Sequence, residues 1–267
     1  MAPFLDRLFR SARSWLGAAL LAAACARPAR WTEPVSGIEF ALIPAGEFQM
    51  GSPESEPGHE PGEVLHSVRL TRSFYLGATE VTQAQWSRVM GSNPSNFRSC
   101  GPDCPVEGVS WFDIQRFLVR LTRLSGRSFR LPTESEWEYA CRAGATTAYS
   151  AGPRLDPDEA NYDARDPRGG GPAGRFRGSP VAVRSFRANA FGLYDMHGNV
   201  WEWTEDEYCP YPRGAAVDPL ARCDSPLRVI RGGSWAFDAD SARCALRYTH
   251  RSRDSGYSLG FRLARAL

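Results

Sequence analysis

The sequence predicts an α+β fold rich in irregular structure, on three observations. Short alternating apolar segments bounded by Gly and Pro read as strands, helical periodicity is confined to three stretches, and 25 Gly with 20 Pro leave a long span without any period. Aromatic residues make up 12% of the chain, which suits a coil-rich fold whose loops are pinned by large rings.

Residues 1–25 read as an export leader, because Arg7, Arg10 and Arg13 precede a short apolar run from Trp15 to Ala24. That run is too short to span a bilayer. LAAAC resembles a bacterial lipobox with Ala22 where Leu is commoner, so a lipid on Cys25 and plain secretion both fit. Residues 26–37 read as a linker and 38–267 as one domain, since no charge run divides them. Within the domain, GIEFALIPAGEFQMGS alternates around Pro44 and Gly46, and HSVRLTRSFYLGATEVT follows a polar, Pro-rich loop; both read as strands and turns. Thr82 caps a short helix from Gln83 to Met90. Ser110 and Asp113 open the clearest helix, with Ile114, Phe117, Leu118, Leu121 and Leu124 on one face and Gly126 as its stop. Thr133 and Glu136 form a capping box before Trp137, Ala140 and Cys141. Thr146 to Ala188 reads as loop held by tertiary contacts or by metal, and LGFRLAR as the last strand.

All 32 basic residues counted as Lys+Arg are arginine, which excludes Schiff-base and lysine-nucleophile chemistry. A net charge of +2 without a basic stripe predicts no nucleic-acid partner. Beyond Cys25 stand six cysteines, an even number suited to disulfides in an exported chain. Proximity pairs Cys100 with Cys104 and Cys209 with Cys223, leaving Cys141 for Cys244, although six cysteines admit other pairings. A zinc or iron site is disfavoured: CGPDC has no second close pair, and His59, His66, His197 and His250 lack helical ligand spacing.

Read in order, IPAGEFQMGS, EVTQAQW, PVEGVSWFDI, RLPTESEWEYACRAG, NAFGLYDMHGNVWEW, RVIRGGSW and LGFRLAR resemble the formylglycine-generating enzymes, or sulfatase-modifying factors, from about Ile38 onward. The resemblance implies a variant of the C-type-lectin fold. In those oxidases two cysteines after the GGSW/Y word hold Cu(I) between thiolates, a donor pair suited to that soft ion. Here Phe237 stands at the first position and the second falls near Ala242, so copper is not expected.

Calcium is expected instead, as a structural ion. Asp195 and Glu202 flank the HGN turn, whose carbonyls at Gly198 and Val200 complete the family's oxygen cage; pairing of these acids with arginines is the competing reading. A second family site takes Asn161 and the Tyr162 carbonyl, but its later acidic ligand falls on Arg175. The remaining pocket comprises Trp201, Trp203, Ser234, Trp235, Phe237, Arg247, Arg251, Ser258 and Arg262. By resemblance Ser234 lines a peptide groove, and aromatics with arginines suit a peptide or small anionic ligand. Read blandly, the tryptophans are core and Arg262 is a carboxylate partner. The expected protein is an exported binding or accessory module; the enzyme alternative is an oxidative maturation enzyme, such as a formylglycine-generating oxidase acting on cysteine of an exported sulfatase.

Overall fold

The computed structural model describes residues 29–166 and 171–267; the leader and Cys25 lie outside them. Three helices form where local signals place them: α1 (Gln83–Met90), α2 (Trp111–Ser125) and α3 (Glu134–Arg142). Thr82, Ser110 and Thr133 each accept a bond from the backbone N–H three residues on, and Gln85, Asp113 and Glu136 return it, so every one starts on a capping box. Gly126 closes α2 at φ 69°, a left-handed conformation natural to glycine. α2 buries Ile114, Phe117, Leu118 and Leu121, but Leu124 is 51% exposed. At about 100° per residue it lies roughly 70° from the centre of the buried stripe, beyond the reach of the core.

Three small sheets hold the strands. The first is antiparallel in the order β1 (Arg30–Thr32), β2 (Glu39–Ile43), β5 (Phe74–Gly77), β11 (Ala264–Ala266). β3 (Gly46–Met50), β4 (His66–Leu70) and β7 (Ala216–Val217) form the second. The third runs β10 (Leu259–Gly260), β6 (Trp201–Glu207), β8 (Leu227–Arg231), β9 (Tyr248–Arg251).

Two expectations are corrected. Arg30–Thr32 belong to the domain rather than to a linker, because they pair with β2 and stack Trp31 on Phe40 and Phe129. LGFRLAR is two strands, since Leu259–Gly260 pair with β6 while Ala264–Ala266 pair with β5. Between them Phe261 and Arg262 turn fully inward.

The largest apolar cluster joins α1 and α2 to β6 through Trp86, Phe117, Trp203 and Phe261; a second lies around α3, β2, β4 and β5. Thr146–Ala188 is loop over its described part. A third cluster holds it, packing Tyr149, Leu155 and Tyr162 on Ala239 and Ala242. All three expected disulfides form: Cys100–Cys104, Cys141–Cys244 and Cys209–Cys223. Among the described residues no helix is long and apolar enough to cross a membrane.

Candidate functional site

β6 and the turn before it place the two acids of the expected cage differently. Glu202 is buried on β6, where Arg262 Nε and Nη2 each donate to its carboxylate at 2.6 Å and Trp137 Nε1 donates at 2.7 Å. The competing reading, an arginine partner, therefore holds for Glu202. Asp195 sits at φ 56°; its Oδ2 accepts from Arg184 N at 2.8 Å, while the buried Oδ1 has no partner. Glu80, which sequence reasoning missed, completes the group: Asn199 Nδ2 donates to its Oε1 at 3.0 Å and its buried Oε2 has no partner. The available signal was an acid inside the otherwise apolar or small run Ala78–Val81.

Three buried carboxyls thus lie within electrostatic reach of the buried Arg262 guanidinium, and Asp195 also feels the exposed Arg184. Burial pushes Asp195 up to about 6, and Glu202 adds to the shift. Burial also raises Glu80 well above the usual carboxylate range, with Asp195 and Glu202 pushing the same way. Asp195 Oδ1 and Glu80 Oε2 are thus buried, unpartnered oxygens of the hard type that calcium takes. The adjoining turn is fixed, since Gly198 N donates to Gly232 O and Asn199 N to Asn161 O. Gly198 has φ 78°, and a Cβ there would lie 2.2 Å from the Asn161 carbonyl oxygen, so only glycine fits.

Asn161 and Tyr162 make a poorer cation site. Asn161 Nδ2 donates to Ser179 O and Asn199 Oδ1, tying two loops together, though its buried Oδ1 is unpartnered. The Tyr162 hydroxyl donates to Leu155 O. Arg177 donates to the Ala160 and Pro157 carbonyls beside them, and Arg175 stands where an acid is needed, so the local charge is opposite to a cation's requirement.

The groove candidates separate into buried and exposed members. Ser234 is buried, its Oγ accepting from Ala236 N; Trp235 is also buried, with Nε1 unpartnered, amid Phe97, Phe176 and Tyr257. Phe237 N donates to Ser234 O, and its ring meets the edge of Trp201 at 5.5 Å; Trp201 stacks on Tyr248 at 5.5 Å and donates its backbone N–H to Ser258 O. Ser234, Trp235, Phe237 and Ser258 are therefore brought together, with Tyr248 and Tyr257 as exposed rings that sequence reasoning missed. Trp203 is core, donating to Val109 O.

Arg247 is not a groove residue. It is buried, forms a two-point pair with Glu134 at 2.6 and 2.8 Å, and lies over the Tyr211 ring at 3.8 Å. Arg251 is exposed at the opposite end of β9 from Tyr248, paired in register with Leu227 rather than facing the aromatic cluster.

Among the described residues no cysteine carries a free thiol. Phe237 and Ala242 occupy the expected positions, and every cysteine among the described residues is in a disulfide. His197 is equally committed: its Nδ1 donates to Ala242 O while Nε2 accepts from Ser150 N, and burial pushes its pKa down to about 4.

Residues 29–267 match the family described as "Sulfatase-modifying factor enzyme 1-like domain". The chain is 32% identical over 303 residues to the formylglycine-generating enzyme of Streptomyces coelicolor, covering 91% of this chain and 94% of that protein. It is 29% identical over 258 residues to the serine/threonine-protein kinase pkn1 of Chlamydia caviae, covering 86% of this chain but only 38% of that longer protein. Among solved structures, PvdO from Pseudomonas aeruginosa superposes with a TM-score of 0.77 at 26% identity, over 91% of this chain and all of that one.

Proposed function

Because the chain belongs to the sulfatase-modifying factor family, we propose that it is an exported, calcium-stabilised binding or accessory module whose aromatic groove takes a peptide or small ligand. The observation that carries this reading is the cysteine inventory. A Cu(I) oxidase of this family needs two thiolates beside the GGSW word, and here those positions hold a phenyl ring and a methyl group while the other described cysteines are oxidised in pairs. Three disulfides also favour an oxidising compartment, with or without a lipid at Cys25.

The groove offers stacking surface on Phe237, Tyr248 and Tyr257 over a rigid floor of Trp201 and Trp235. Such rings bind planar or apolar ligand groups at low entropic cost, and backbone groups nearby give direction. In this reading a calcium ion held by Asp195 and Glu80 braces the turn that leads into β6, a structural role rather than a catalytic one.

The test uses the full chain, copper-loaded, with a CxPxR sulfatase peptide and mass spectrometry. No conversion of cysteine to aldehyde is expected; catalytic turnover would refute the binding-module reading. Tryptophan fluorescence titrated with the same peptide reports occupancy, and Phe237→Ala/Tyr248→Ala should abolish any saturable change.

A further inference from the structure

α2 presents an outer face that no other described element covers. Its inner side is sealed in the core, but Phe112, Val119 and Leu124 are 49%, 61% and 51% exposed. At about 100° per residue they share one broad arc with Arg116, Arg120, Arg123 and, just past the helix, Arg127. All of these but Arg127 line an open depression of about 780 Å³. Asp113 is the acid at this face, and it pairs with Arg116; Arg120 and Arg123 have no acidic partner among the described residues. A chain with net charge +2 has therefore collected unpaired arginines and bare apolar side chains on one helix.

The neighbouring edge has the same character. Arg127 and Arg265 both lie over the Trp31 ring at 5.2 Å, and Trp31 belongs to β1 at the start of the described chain. Arg30 follows Cys25 by five positions, so that tether reaches at most about 18 Å.

We propose that the outer face of α2, edged by Arg127 and Arg265, docks on an anionic phospholipid surface. Phe112, Val119 and Leu124 enter the boundary between headgroups and acyl chains. The guanidinium groups take lipid phosphates in paired hydrogen bonds, for which their planar fork is suited. Charge complementarity selects this occupant over a second copy of the chain, because a two-fold contact through this face sets arginine against arginine. The inference stands apart from the groove reading. A lipid on Cys25 adds a second anchor beside the same face, and two weak anchors together give stable attachment.

The experiment uses the full chain carrying Cys25→Ala, so that no acyl group is attached, and sedimentation with vesicles. One set is phosphatidylcholine alone and the other is equimolar phosphatidylcholine and phosphatidylglycerol. Any contribution of the leader is common to all variants and cancels in their comparison. Preferential binding to the anionic vesicles is expected, weakened at least about tenfold by Arg120→Glu/Arg123→Glu. The matched pair Arg154→Glu/Arg213→Glu, on other exposed loops, should bind as the parent does. Melting curves verify that both pairs fold. Equal binding to the two vesicle types, or equal loss in the matched pair, overturns the proposal. So does a dimer, detected by light scattering, that only the Arg120/Arg123 variant dissolves, for it assigns the face to a second copy.

Discussion

Asp195 and Glu202 lie seven positions apart in one motif, yet only Asp195 keeps an unpartnered oxygen. The motif was legible because residue type and spacing are local. Arg262, sixty residues from Glu202, and Glu80 were not legible as its neighbours, because the fold alone brings them there. Calcium is expected to raise the melting temperature of the parent and to leave Asp195→Asn unchanged, as read by thermal unfolding with and without chelator. A parent insensitive to chelation would remove calcium from the account. The arginines divide by burial in a way composition cannot show. Arg247→Met removes the two-point pair and leaves Glu134 to Arg231 Nε at 3.4 Å and the Tyr211 hydroxyl at 3.1 Å, which should cost about 2–3 kcal/mol in urea unfolding; Arg251→Met should stay within about 0.5 kcal/mol, as exposed substitutions do.

Helices were read almost in full, because each capping box is written within four residues. Strands fared worse where pairing is remote: β1 and the division of LGFRLAR depend on partners far along the chain. Asp206 shows how one element depends on another. From β6 it accepts the N–H of Glu134 at the start of α3 at 2.7 Å and that of Ala221 at 2.8 Å. Burial, reinforced by the charge of Glu134, pushes its carboxyl up to about 7. In the unfolded chain it titrates near about 4, so between these values the native state retains a proton that the unfolded state has released. This group's contribution to stability therefore falls as pH rises from about 4 to about 7, by at most about 1.4 kcal/mol per unit, then levels off. Asp206→Asn should be the less stable protein at pH 4, having lost an acceptor, and gain on the parent toward pH 7. A pH-independent gap between their urea midpoints would count against this.

Across the whole molecule, two disulfides were suggested by proximity in sequence and the long-range third only by what they left over, whereas the packing of the long loop on Ala239 and Ala242 had no periodic trace. Cys141–Cys244 spans 103 residues and links α3 to the segment carrying Phe237 and Ala242. Loop-closure entropy assigns such a crosslink about 4.7 kcal/mol, against roughly 2 for a link as short as Cys100–Cys104. Cys141→Ser/Cys244→Ser should thus lower the urea midpoint far more than Cys100→Ser/Cys104→Ser; equal losses would show that native-state effects dominate. The first sheet sets an order of events as well. β5 lies between β2 and β11, so one of its edges waits for residues 264–266 while β1 and β2 are among the first of the domain to be synthesised. During vectorial synthesis that edge stays open to wrong partners until residues 264–266 have emerged, so the first sheet is completed only after the rest of the described domain has been made.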